Sequence, residues 1–281
     1  MAASLRLTGR SVSGMYRAAG RGAVHALVAV GAAVIVVPLV LTVYLSVFDE
    51  TIIVFPPRGY TLAWYGRILP QFGDALRTSV LTAMAATAIS LLCGVPAGIG
   101  LSRYRFRGRG AVATLLLAPL TIPGVAIGLG IFVLAVMIEE RTAIALSGSV
   151  GLLVAAHVLI TLPWVIRLSL AALANHDRAA EEAAASLGAR PVTVIWRVTL
   201  PAMRGGIVAG ALFAFIVSFE NLEMTLFLTA PGVTTLPIAV LQYLQYHIDP
   251  LIAAMAVAQI ALVGVALVLL DRRVRIARVA V

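Results

Sequence analysis

The sequence predicts an all-α integral membrane protein with six transmembrane helices and both termini in the cytoplasm. Three observations predict it. Hydrophobic residues make up 61% of the 281 residues and charged residues only 12%, about half the charged share of an ordinary soluble domain. The apolar residues fall in runs close to the ~20 needed to cross hydrocarbon as a helix. The charges lie between those runs, and Arg gathers in alternate loops, as the positive-inside rule requires.

Residues 1–22 are polar, with Arg6, Arg10, Arg17 and Arg21, and form a cytoplasmic N-terminal segment. The apolar run from Ala23 to Val47 exceeds a secretory core of about 7–15 residues and reads as an uncleaved first span. Pro38 lies within it. The outer segment 48–74 carries Phe55-Pro56-Pro57 and Trp64-Tyr65. Aromatic residues suit the membrane interface, and a short helix along the outer surface is expected there. Five further spans follow, at about 75–101, 111–138, 149–173, 205–229 and 250–270. Helices are required because an isolated span must satisfy its own backbone. Together the spans form one transmembrane domain over 23–270, with a cytoplasmic tail at 271–281.

Within the spans, Pro119, Pro123 and Pro163 are expected to kink the third and fourth. Gly94/Gly98, Gly124/Gly128 and Gly206/Gly210 are small-xxx-small pairs suited to close helix contact. Cys93 reads as a buried packing residue, and His157 as a hydrogen-bonded one. No His, Cys and Asp grouping has metal-site spacing, so no metal is expected.

With six spans, one side collects the N-terminal arginines, Arg103, Arg105, Arg107 and Arg109, then Arg178, Arg190, Arg197 and Arg204, then Arg272, Arg273, Arg275 and Arg278. The other side has Arg58, Arg67, Arg77 and Arg141, offset by Asp49, Glu50, Asp74, Glu139 and Glu140. A net charge of +9 in short interhelical blocks is a signature of topology, and no nucleic-acid partner is expected. Every basic residue is Arg. Without Lys there is no phosphate-binding P-loop, so any nucleotide chemistry belongs to a partner.

The longest polar interruption, 174–203, holds the most specific pattern. Asn175 or Asp177 can cap a helix, and Glu181 and Glu182 favour its positive end. Ala180, Ala183, Ala184 and Leu187 recur at helical spacing as a smooth stripe. Gly188 suits the left-handed residue that ends a helix. Pro191 can start a second short helix, with Val192, Ile195, Trp196 and Thr199 on one face and Pro201 at its end. Such an elbow between two spans is a docking element. Its signature is Glu182-Ala183-Ala184, three residues, Gly188, nine residues, Val198, one residue, Leu200-Pro201.

On that signature the chain resembles the permease subunit of binding-protein-dependent ABC importers of the type I fold. In that family the loop is a coupling helix seated in a groove of the ATPase. The resemblance implies ATPase coupling through Glu181, Glu182, Ala183, Ala184, Gly188, Val198, Leu200 and Pro201. Phe55-Pro56-Pro57-Arg58-Gly59-Tyr60, Trp64-Tyr65, Leu76-Arg77-Thr78-Ser79, Phe106-Arg107-Gly108-Arg109 and Thr235-Leu236-Pro237 resemble the spermidine/putrescine-type group. Where that group often has Ser-Phe-Asp, this chain has Ser218-Phe219-Glu220-Asn221. The resemblance implies a non-catalytic subunit of the bacterial inner membrane, with no cofactor of its own; ATP and Mg are bound by the ATPase. Its implied partners are an ATPase dimer, a second and different permease, an extracytoplasmic solute-binding protein and membrane lipid.

Polar groups inside spans are costly and often functional. Glu220, Asn221 and Glu223 fall in the outer half of span five, and Tyr243, Tyr246 and Asp249 precede span six. Acidic and aromatic groups together suit a cation. These six residues are the candidate solute path, for a polyamine or similar cation. Other solutes of the same family, organophosphonate or iron among them, are the alternative. A stand-alone secondary transporter lacks support because no inverted repeat is seen. An intramembrane enzyme lacks it because no nucleophile with a facing His is evident.

Overall fold

A computed structural model describes residues 8–51, 55–174 and 177–274; Arg6, Asn175, Arg275 and Arg278 lie outside them. The described residues are helical, with two isolated β-bridges and no strand. The helices are α1 (Thr8–Leu45), α2 (Ala63–Arg103), α3 (Arg109–Leu117), α4 (Gly124–Thr142), α5 (Val150–Ala174), α6 (Ala179–Ser186), α7 (Pro191–Val194), α8 (Leu200–Ala202), α9 (Arg204–Phe219), α10 (Leu236–Leu244) and α11 (Pro250–Val274). Three are long and apolar enough to cross a membrane, and five spans result if each of two bent pairs counts as one. Pro250–Val265 is a shorter apolar stretch. Each of the six predicted apolar segments thus contains a helix.

Three expectations are corrected. No separate surface helix is described in 48–74, because the first turns of α2 already begin at Ala63. The third span is broken rather than kinked: the helix ending at Leu120 and α4 meet at 100°. Pro123, which cannot donate to the preceding turn, sits at that break as the N-cap of α4. The fifth span ends at Phe219, and 220–229 turn through a 3-10 segment at Thr225–Phe227.

The chain divides into two compact units. In the unit of 1–67 and 248–258, aromatic residues close the segment after α1. Trp64 Nε1 donates to the Phe48 carbonyl at 2.7 Å, and the Ser46 and Tyr65 hydroxyls bond at 2.8 Å. Phe48 is fully buried, edge-on to Tyr44.

The unit of 68–247 and 259–281 is organised around α5. Missing β-carbons let two helices approach it. A methyl group at Gly98 of α2 would lie 2.8 Å from Ser169 Cβ, and one at Gly206 of α9 would lie 2.5 Å from Ala172 Cβ. Gly94 meets Val165 in the same way. Trp164 of α5 stacks on Phe213 of α9, with centroids 5.5 Å apart. One core cluster joins Val95, Ile99, Val165, Leu173, Met203 and Ala214; another joins Ile127, Leu153, Ala156, Ile160, Met224 and Leu228. Cys93 is turned outward, against the expectation of a packed thiol, because the Gly94/Gly98 face is the one that meets α5.

Overpacking such a contact costs about 1–3 kcal/mol. Gly206→Ala is expected to lower unfolding stability in detergent by that amount. Gly100→Ala, whose new methyl meets nothing within 4 Å, is expected to be neutral or stabilising. Equal stability of the two variants would refute the close-contact role.

Candidate functional site

The elbow is built as follows. Asp177 Oδ1 accepts the Ala179 N–H at 3.0 Å and starts α6. At the other end Gly188 has φ 82°. Its N–H reaches the Ala185 carbonyl at 2.9 Å, and the Ala189 N–H reaches Ala184 at 3.1 Å. This is the paired closure of a Schellman end, which a β-carbon at the left-handed position would strain. Pro191 opens α7. The helix then widens into a π-turn at Ile195–Thr199, where the Leu200 N–H reaches back to Ile195. Pro201, with no N–H to give, follows at once. The helix continues through Ala202 and bends by 71° into α9. Pro201 therefore does not end it; the break is at Met203.

The elbow's second helix is two-faced. Val192 and Trp196 are exposed, at 65% and 68%, beside Leu187 at 89%. Thr199 is buried, and Ile195 packs on the core cluster holding Met203 and Val165. The predicted single face of Val192, Ile195, Trp196 and Thr199 is thus split: at 100° per residue Ile195 and Thr199 lie on one flank of that stripe and Val192 and Trp196 on the other, and only the first flank meets the core.

The two adjacent glutamates also separate. Glu182 is exposed. Glu181 points inward and accepts from Arg103 at the end of α2 at 2.7 Å, with the two side chains 15% and 14% exposed. It also accepts the Thr199 hydroxyl at 3.0 Å. Arg178 adds a bond to the Ser102 carbonyl at 3.1 Å. One carboxylate therefore ties α2, α6 and the π-turn together. Of the other motif residues, Ala183, Gly188 and Pro201 are exposed, and Ala184, Val198 and Leu200 are half-buried.

The residues proposed for a solute path fall into separate places. Asn221 Oδ1 accepts the backbone N–H and hydroxyl of Thr225, at 3.2 and 3.0 Å. Because that oxygen only accepts, the Thr225 hydroxyl is left to accept from His157 Nε2, at 3.1 Å. Nδ1 lies 2.7 Å from Ser218 Oγ. His157 is a hydrogen-bonded staple that joins α5 to α9 and to the segment after it. The line continues through its carbonyl to Thr161 and on to Ser90 of α2, each at 2.8 Å. Glu223 lies over Gly124, and a methyl there would be 2.7 Å from its carboxylate. Glu220 is exposed just past α9. Asp249 accepts the Leu251 N–H at 3.1 Å and caps α11. Tyr243 and Tyr246 instead line a cleft of about 760 Å³ between the start of α2 and α10.

Residues 90–276 match the family model of the binding-protein-dependent transport system inner membrane component. The chain belongs to that family. This permease is 34% identical over 236 residues to the putrescine transport system permease protein PotI of Escherichia coli K12, covering 81% of this chain and 82% of PotI. It is 37% identical over 211 residues to the molybdenum transport system permease protein ModB of Mycobacterium tuberculosis H37Rv, covering 72% and 78%. Its fold matches the crystal structure of a bacterial ABC transporter involved in import of the acidic polysaccharide alginate. The TM-score is 0.68 at 15% identity, with 94% of this chain and 97% of that one covered. The permease is accordingly a multi-pass membrane component of a transport system and not an enzyme.

Two further residues stand out in the structure. Arg103, a topogenic charge in the sequence, braces the permease's elbow. Arg167 lies inside α5 and is exposed; a lone charge within an apolar helix is itself a signal of function.

Charge-assisted hydrogen bonds of this kind contribute about 1.5–3 kcal/mol. A double-mutant cycle of Arg103→Ala and Glu181→Ala is expected to give a coupling energy of about 1–3 kcal/mol by unfolding in detergent. Additive effects would exclude the brace.

Proposed function

We propose that this chain is the inner-membrane permease subunit of an ATP-driven importer of a polyamine or similar small organic cation. A solute-binding protein delivers the solute to the outer face. A pair of ATPase subunits, which hold the ATP and Mg, dock on the elbow. A second permease chain completes the pathway, and this chain needs no cofactor of its own. Both termini and the elbow then lie on the cytoplasmic side, where the Arg-rich loops gather.

The observation that carries the transport reading is the elbow. Leu187, Val192 and Trp196 stand in solvent on a rigid, internally braced helix pair, outside the apolar segments. Exposed large apolar groups outside the apolar spans mark a docking surface. Glu182, Ala183, Ala184 and Gly188 lie on the same helix and its end, and Val198, Leu200 and Pro201 carry the displacement into α9. Met203, buried at the bend among α2, α5 and α9 side chains, gives a push on the elbow a rigid connection to the bundle. Polyamine transport is supported by the likeness to PotI over most of both chains. Glu220, Asn221, Glu223, Tyr243, Tyr246 and Asp249 remain the proposed solute path or its surroundings.

An oxyanion substrate is the second reading. It is favoured by the likeness to ModB and by the exposed Arg167 within α5. Uptake of labelled putrescine against molybdate, by the complex reconstituted with its binding protein, separates the two.

Leu187→Asp combined with Trp196→Ser is expected to reduce ATPase copurification at least tenfold while membrane levels stay unchanged. Glu182→Lys is expected to abolish solute-stimulated ATP hydrolysis. Normal stimulation in both variants would overturn the coupling role.

A further inference from the structure

We propose that the cleft between the start of α2 and α10 is a binding site for an organic ammonium group, with Asp74 as its counter-ion. This rests on the reading of the chain as an importer of cations. The two walls are helical stripes of matching period. Gln71, Asp74, Ala75 and Thr78 follow i, i+3, i+4, i+7 on α2; Ala239, Gln242, Tyr243 and Tyr246 follow the same spacing on and just beyond α10. Residues at that spacing share one helix face, so each wall turns a continuous row of side chains into the cleft.

The chemistry of those rows is specific. In a chain of net charge +9, Asp74 is, among the described residues, the one formally charged residue lining the cleft, and no described Arg lines it. Asp74 is exposed and forms no ion pair among the described residues. The Tyr243 ring is already fixed: it stacks on His247 with centroids 4.4 Å apart and planes at 14°, and meets Phe72 edge-on at 5.4 Å. Gln71, Gln242 and Thr78 supply neutral oxygen acceptors beside it. The Thr78 hydroxyl donates to the Asp74 carbonyl at 3.0 Å, which leaves its lone pairs to accept. An alkylammonium has three N–H donors and a diffuse cationic face. It is satisfied by one carboxylate, flanking oxygens and a tyrosine ring. An oxyanion would meet a carboxylate and no cation. The cleft's ~760 Å³ is within the ~300–1,000 Å³ of small-molecule sites.

The ammonium has two possible sources, a free diamine or a basic side chain of the solute-binding protein. Both are tested with the full-length permease assembled with its partner subunits in nanodiscs. Putrescine is titrated by calorimetry without binding protein, with 1,4-butanediol as the uncharged control. Putrescine is expected to bind and butanediol not to. Asp74→Asn is expected to weaken putrescine at least tenfold, Tyr243→Leu severalfold, and Asp74→Glu to retain binding. If putrescine does not bind but Asp74→Asn lowers the affinity of solute-loaded binding protein at least tenfold, the ammonium is a side chain of that protein. If Asp74→Asn changes neither affinity while assembly is intact, the proposal is overturned. Uptake of molybdate but not putrescine by the unmutated complex would instead defeat the cation-importer reading, and the binding-protein arm would then decide the cleft separately.

Discussion

The closeness of α5 to its neighbours is the constraint on which the rest of the larger unit depends. Gly94 and Gly98 of α2 approach α5 from one flank, and Gly206 and Gly210 of α9 from the other. In lipid there is no hydrophobic driving force between apolar helices, so association relies on dispersion contacts and interhelical hydrogen bonds. Removing β-carbons shortens the distance over which those contacts form. With the three helices held this closely, the end of α2 comes near enough to the elbow for a single carboxylate of α6 to join it to the π-turn.

That carboxylate, Glu181, shows how a sequence motif is divided by its fold. Two consecutive glutamates look equivalent on paper. On a helix they are 100° apart, and one is turned to Arg103 and Thr199 while the other is exposed. The inward residue fixes the orientation of the helix, and the outward one is free to meet a partner. Periodicity acts in the same way on the second helix, with Ile195 and Thr199 on the inward flank and Val192 and Trp196 on the outward one.

The buried line from Asn221 through Thr225 and His157, with Thr161 and Ser90 beyond it, is a second polar device inside the bundle. Unpaired polar groups away from water are expensive, and each member here has a partner. The line holds the short segment after α9 against α5, where the apolar cluster of Met224 and Leu228 also packs. The segment that interrupts the fifth apolar run is thereby fixed in place, despite its loss of regular helix.

The sequence by itself determined the class, the six apolar segments, the distribution of Arg and the position of the elbow. These follow from composition and period, which act locally: an apolar run of sufficient length has to be a helix in lipid, and Gly188 has to end one where a left-handed residue is needed. Gly94/Gly98, Gly124/Gly128 and Gly206/Gly210 were also legible, since a missing side chain leaves a regular mark. Only the tertiary structure decided that Arg103 pairs with Glu181, that α2 starts at Ala63, that Cys93 faces outward, and that Asp74 shares a cleft with Tyr243 and Tyr246. It also separated Asn221 from Glu223 and turned Asp249 into a helix cap. Those choices depend on which helix faces meet across 78 positions for Arg103 and Glu181, or 68 for His157 and Thr225. A local pattern carries no record of such meetings, because they are fixed by packing between helices and not by the propensity of either one.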